Sequence, residues 1–362
     1  MKDYTVKIKP LTPLWTGDAN RRGNAVRETG IIGSLRWWYE ALVKGLGGTS
    51  CDPTDIKCNG ENHCDVCELF GCTGWARKFR LEVSLEGENP SWEFLDGKIG
   101  TRRKHNKVKK FLVRNFSGFV TKGLIVITFI PLRKIELSEW ELLNRTLNII
   151  EDYGALGART SQGNGVIKIV ENNLPVKQNK IDLVTKGKSV DQPILKDFFF
   201  YKFRIKFADT IENLIKLKVF WTHAPLHNSF KENWEQWERA WHTYEFLPIA
   251  FHVRDAIRPL IKDKAERHKV FGECGKGSRV FVSHGYKIDE KKVEVRIFGY
   301  GVNEEIKKKI KNNFNRQLKE KLFQENECIQ KLKDCSLQKE KTGKEIIQEL
   351  KNELEVVLDD GT

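Results

Sequence analysis

The sequence predicts an α+β protein of two similar halves, each an antiparallel sheet backed by helices. Two observations point there. Over residues 4–170, apolar alternation and helical spacing follow one another as strand, helix, strand, strand, helix, strand. After a polar stretch, the alternation begins again.

Tyr4, Val6 and Ile8 alternate with Thr5, Lys7 and Lys9 as in a half-buried strand, and Pro10 ends it. A polar, glycine-bearing loop leads to Leu35, Trp38, Tyr39 and Leu42 at helical spacing, closed by Gly45, Gly47 and Gly48. Phe79, Leu81, Val83 and Leu85 form the next alternating set, and 124–132 is a more apolar strand. The basic stretch between them reads as a loop. Ser138 with Glu141 makes a capping box before Trp140, Leu143, Leu147 and Ile150; Gly154 closes that helix and 166–170 is a strand. This order is that of a ferredoxin-like (RRM-like, βαββαβ) domain.

Residues 171–192, with Asn172, Asn173, Pro175, Gln178 and Gly187, read as a connection. They divide the chain into an N-terminal domain, 1–175, with a cysteine-rich insertion, and a C-terminal domain, 195–362. In the second, Phe203, Ile205 and Phe207 alternate with Lys202, Arg204 and Lys206. Residues 234–244 are an aromatic helix, 280–282 and 293–297 are strands, and Ile306, Ile310, Phe314, Leu318 and Leu322 mark a long helix. A final strand at 354–358 would complete a second ferredoxin-like domain with an enlarged helical part.

With 362 residues and 40% hydrophobic content, the chain can bury a sizeable core. Lys and Arg number 63 against 49 Asp and Glu, a net charge of +14 that calls for a polyanionic partner. A Lys- and Glu-rich surface of thermophile type is the alternative. No stretch is apolar enough to span a bilayer and the first nine residues lack a signal-peptide pattern, so a cytoplasmic protein without membrane contact is expected.

Three classes of motif carry chemistry. Arg21, Arg22, Arg27 and Gly33 precede a helix that holds Arg36 and Trp37, an arrangement in which free N–H groups could cradle phosphate. A solvated loop with Trp38 packed in the core is the other reading. Gly154, Gly157, Gly163 and Gly165 interleave with Arg159, Thr160, Ser161 and Gln162 in a turn rich in donors for phosphate and sugar. It is neither a Walker loop nor a dinucleotide fingerprint, because no Gly-Lys-Ser/Thr follows and it enters a strand, not a helix. Arg77 and Lys78, then Arg102, Arg103, Lys104, Lys109 and Lys110, are basic clusters with aromatic neighbours, suited to phosphates or simply to water. The loop around Lys104 is the segment expected to become ordered only on RNA.

Cys51, Cys58, Cys64 and Cys67 crowd together, with His63 adjacent and Cys72 beyond. The last two of the four have zinc-knuckle spacing and the first two are more loosely spaced, so a structural four-thiolate zinc site and free thiols both stand. Among histidines, His105, His223 and His227 are candidates for general acid–base work by context alone.

The segment Leu156-Gly157-Ala158-Arg159-Thr160-Ser161-Gln162-Gly163-Asn164-Gly165 resembles the glycine-rich hallmark loop of the RAMP (repeat-associated mysterious protein) superfamily. Leu11-Thr12-Pro13-Leu14-Trp15-Thr16-Gly17, followed by Ile32-Gly33-Ser34-Leu35-Arg36-Trp37-Trp38, is similar to the first subunits of type III-B (Cmr) CRISPR effector complexes. The family pattern has Arg where Ile32 stands. Cys64-Asp65-Val66-Cys67-Glu68-Leu69-Phe70-Gly71 is a third shared segment, and Gly275, Lys276, Gly277, Ser278 and Arg279 form a weaker counterpart in the second half.

The resemblance implies two ferredoxin-like domains in a noncatalytic, RNA-binding subunit of an antiviral ribonucleoprotein. It implies guide RNA, target RNA and other Cmr subunits as partners, a place near the 3′ end of the guide, and target cleavage in another subunit. No cofactor is required beyond the zinc already considered. A metal-independent endoribonuclease processing CRISPR precursor RNA is the alternative within the same superfamily.

Overall fold

The computed structural model describes residues 2–17, 25–51, 58, 63–105, 108–176, 180–184, 193–220, 233–273, 277–322 and 332–359. The first half contains β1 (Tyr4–Pro10), α1 (Glu28–Leu46), α2 (Asp65–Phe70), β2 (Phe79–Glu86), β3 (Glu93–His105), β4 (Val108–Val120), β5 (Leu124–Pro131), α3 (Leu137–Asp152) and β6 (Ile167–Asn172). Its sheet has the order β2-β5-β1-β6, antiparallel throughout. Val6 pairs with Ile127 and Ile8 with Ile125, all fully buried, so the alternation in the sequence sets which face meets the helices.

The second half follows β7 (Lys180–Val184) and contains β8 (Phe198–Phe207), α4 (Ile211–Lys216), α5 (Trp234–Glu238), β9 (Phe246–Leu247), α6 (Ala250–Ile257), α7 (Lys264–Phe271), β10 (Val280–Val282), β11 (Gly285–Asp289), β12 (Lys292–Tyr300), α8 (Glu304–Leu322) and β13 (Leu332–Thr342). Its sheet runs β13-β8-β12-β11-β9, with β10 also paired to β12. The chain is thus α+β with antiparallel main sheets, as expected. No described helix is long and apolar enough to cross a membrane.

The last elements, α9 (Gly343–Glu353) and β14 (Glu355–Asp359), return to the first half. Ile346, Ile347 and Leu350 join the core built on β1, β5, α1 and α3, and β14 lies parallel to β7. The strand expected at 354–358 therefore exists but does not complete the second sheet. That place is taken by β13, whose apolar alternation is broken by register shifts between Leu332 and Asp334 and between Leu337 and Lys339.

The basic stretch expected as a loop is instead a hairpin, β3 against β4, with Arg102, Arg103 and Lys104 in register with Phe111, Lys110 and Lys109. Gly97 hid it. On the buried face of β3, between Leu95 and Ile99, this glycine stands where a Cβ would lie 2.1 Å from the Phe116 ring, so period-two hydrophobicity is interrupted. The α3 cap also differs: Glu136 and Glu139 form the capping box, while Glu141 pairs with Arg145 at 2.7 Å. α1 begins at Glu28, so Gly30 and Gly33 lie inside its first turns and not before them. Ile31, Leu35, Trp38 and Leu42, buried at helical spacing, outweigh the two glycines.

Candidate nucleic-acid interface

The glycine-rich segment leaves α3, crosses the junction of the two halves and enters β6. Its start is fixed by Trp38, whose indole N–H donates to the Ala155 carbonyl at 3.0 Å, and Leu156 N–H closes the loop on the Gly165 carbonyl at 2.8 Å. Gly157 has φ +88° and donates to Ser34 Oγ at 2.9 Å; a Cβ there would lie 2.6 Å from the Trp15 carbonyl oxygen. Only glycine meets both requirements. Gly163, at φ +115°, sits against Ala250 and His284 and accepts the His284 N–H at 3.0 Å. The loop is therefore held from both halves.

Arg159 occupies the left-handed region at φ +54°. Its guanidinium lies 3.3 Å from the centre of the Trp15 ring and donates to Ser117 Oγ at 2.8 Å. Burial lowers its pKa, opposed by the charge of Asp96. Thr160, Ser161 and Gln162 make one half-buried helical turn.

Where this loop meets α1, a cavity of about 410 Å³ opens. Gly33, Ser34 and Trp37 line it from α1, Gly157, Ala158 and Thr160 from the loop, and Phe281, Phe298 and Tyr300 from β10 and β12. The N-terminal and glycine-rich motifs, far apart in sequence, thus form two walls of one cleft. The aromatic third wall was missed. Its signal was present as Phe298 and Tyr300, alternating on one face of β12.

Other predicted residues lie elsewhere. Arg36 turns away to Glu40 and the Gly71 carbonyl, both at 2.8 Å, and to Cys67 Sγ at 3.3 Å. Lys78 is buried between Glu139, at 2.9 Å, and Glu68, while Arg77 is half-buried beside it. Arg27 caps α1 with its side chain exposed, its backbone N–H donating to Thr16 Oγ1 at 2.8 Å. Ser278 donates to the Val280 carbonyl at 2.6 Å, and Arg279 flanks Tyr300, whose N–H it accepts at 3.1 Å. Arg21, Arg22, Lys276, His223 and His227 lie outside the described residues, as do the side chains of Arg102, Arg103, Lys104, His105, Lys109 and Lys110.

The ligand atoms of Cys51, Cys58, Cys64 and Cys67 lie within 4.8 Å of one another. A tetrahedral zinc with bonds of about 2.3 Å needs sulfurs about 3.8 Å apart, which this clustering fits. Hydrogen bonds with Cys51 and then Cys67 push the Cys64 thiol far down; the contact with Cys64 pushes Cys51 up, and contacts with Cys51 and then Cys64 push Cys67 up. A central cation would let all four ionise together. The Cys51 and Cys64 N–H groups each donate to a cluster sulfur at 3.4 Å. These residues could hold a metal.

Residues 7–168 match the family model of the RAMP superfamily. Among solved structures, the chain is similar to Cmr1 from Pyrococcus furiosus in its apo form, at 12% identity over 84% of this chain and 89% of that one, with a TM-score of 0.38. It is also similar to a chain of the type III-B Cmr-beta complex bound to cognate target RNA, at 15% identity over 48% and 55%, TM-score 0.30. A third similar chain is from that complex with cognate target RNA and AMPPnP, state 2, in the presence of ssDNA, at 13% over 88% and 98%, TM-score 0.38. No curated protein matches the sequence. The residues that match this model supply α1 and the glycine-rich wall of the cleft.

Proposed function

We propose that the chain is a noncatalytic RNA-binding subunit of a cytoplasmic type III-B (Cmr) CRISPR effector complex, holding guide or target RNA in the cleft between α1, the glycine-rich loop and β12. The observation that carries the reading is the convergence of the two RAMP-like motifs on one cavity with an aromatic wall. Aromatic faces stack bases without regard to sequence, and a net charge of +14 supplies attraction to the backbone. Among the described residues, aromatic rings, the Ser34 and Thr160 hydroxyls and backbone line the cleft, groups suited to holding a base and a sugar.

The main sheets support reading the halves as ferredoxin-like domains, because β1 and β5 form the centre of the first between β2 and β6, and β8 and β12 are central in the second, with β13 beside β8 and both β10 and β11 beside β12. The cysteines would hold a structural zinc, with four thiolates leaving no open coordination position. Through the Arg36 to Cys67 contact, that site would brace the helix carrying Trp37.

The test is anisotropy of labelled single-stranded RNA titrated with the purified chain. Affinity should fall steeply between about 50 and about 200 mM salt. No binding at the lower salt would overturn the reading, and metal-independent cutting of repeat RNA would replace it with the endoribonuclease.

A further inference from the structure

We propose that the cleft is a receptor for one unstacked nucleobase of a bound RNA strand, with Arg279 at its rim holding the neighbouring phosphate. This rests on the RNA-binding reading and narrows it to a subsite.

Ring geometry is the first support. Phe281 and Tyr300 lie side by side, centroids 6.2 Å apart and planes 33° apart. Trp37 stands against them at 85° and 60°, with centroids 6.2 and 6.0 Å away. The three rings are half-buried and keep surface open to the cavity, whereas Phe298 behind them is 1% exposed. A floor with a steep wall takes a flat ring on its face and along one edge. A volume of about 410 Å³ falls at the lower end of small-ligand sites, large enough for a base with its sugar and too small for a helix.

Polar groups are few and adaptable. Ser34 Oγ accepts the Gly157 N–H and keeps its own proton to donate, and Thr160 Oγ1 has no intramolecular partner among the described residues. Hydroxyls both donate and accept, so they satisfy the edge of any base and single out none. The pocket is thus expected to be tolerant of sequence.

An apolar side chain from a neighbouring protein could fill the same walls, and charge decides against it. Arg279 is half-buried, its carbonyl accepts the Tyr300 N–H at 3.1 Å, its guanidinium lies against Gly301, the residue after Tyr300, and it makes no ion pair among the described residues. Among the described residues, no acidic one lines the cavity. A cation without a counterion among the described residues, next to an aromatic wall of the pocket, matches the phosphate beside a splayed base.

RNAs carrying 2-aminopurine at successive positions, and a parallel set with a single abasic site, should be bound to the full chain. One position should change fluorescence on binding, and an abasic site there should weaken affinity about 10-fold or more. Tyr300→Leu or Phe281→Leu should abolish that positional dependence, and Arg279→Ala should reduce the salt slope by about one. Salt-sensitive binding with no responsive position would leave the RNA-binding reading standing and overturn the base pocket. Loss of association with another subunit in Tyr300→Leu, with RNA affinity intact, would also overturn it, in favour of a protein occupant. Absence of RNA binding would remove both. Should the variants unfold, the positional profile of the unsubstituted chain decides alone.

Discussion

Arg296, on β12, donates to the Gly154 carbonyl at 2.8 Å, so a side chain from the second half caps the helix and the loop of the first. The same guanidinium reaches the Ile150 and Glu151 carbonyls at 3.1 and 2.5 Å, with the residue only 4% exposed. These carbonyls end α3, where the helix dipole concentrates negative charge. Arg296→Ala would leave several buried acceptors unpaired and should cost about 3 kcal/mol in a urea denaturation series. Lysine, with a point charge in place of the planar fork, should recover part of that loss. Because the contact sets the mouth of the glycine-rich loop, RNA affinity should fall even at temperatures where the variant stays folded.

Two buried histidines predict how stability varies with pH. Burial lowers the pKa of His252 to about 4, with its ring nitrogen 2.6 Å from the Phe220 carbonyl, and that of His284 to about 3, where Nδ1 accepts the Ala250 N–H. Their ordinary value is 6.5, so between that pH and about 4 the unfolded chain binds protons that the folded chain does not. Stability is therefore fully present above the unfolded value and declines as pH falls through this window. Two such groups give a slope of about 2.7 kcal/mol per pH unit in its middle. Denaturation at stepped pH should show it, and His284→Gln should halve the slope.

Much of this architecture is legible from local pattern, because burial on one face writes its period into the chain. Val6 and Ile8, Phe203 and Ile205, and the Ile306 to Leu322 stripe all fall where alternation or helical spacing places them. Pattern fails where tertiary contact replaces a side chain. Gly97 yields its space to Phe116, and β13 carries bulges on an edge. The cleft shows the same limit. Gly157 and Thr160 stand out in the sequence, but that Phe281 and Tyr300 face them follows only from packing the second sheet against α1. Arg36 was read as an RNA contact from its motif, and its ion pair with Glu40, four residues on, was the local clue to an inward role.

If the four cysteines bind zinc, metal analysis should find one equivalent per chain, released by a strong chelator or by thiol-modifying reagents. Removal should lower the melting temperature and loosen α2, whose cap is Cys64 and which contains Cys67. Cys64→Ser should lose the metal and destabilise the chain by several kcal/mol, as expected where metal binding is coupled to folding. A metal-free chain with unchanged melting would show that the thiols pack without a cation.

Arg159 separates a positioning role from a phosphate contact. Its side chain is held by Trp15 and Ser117, and its backbone is left-handed, a conformation that costs a non-glycine residue about 1 kcal/mol. Arg159→Ala loses the stacking and keeps the strain; Arg159→Gly loses the stacking and relieves the strain. The glycine variant should therefore be about 1 kcal/mol more stable than the alanine variant in thermal denaturation. Both should bind RNA more weakly than the parent, because the loop that lines the cleft is no longer tied to Trp15. If Arg159 acts by holding the loop, the salt dependence of binding keeps its slope in both variants; if its charge meets a phosphate directly, the slope drops by about one.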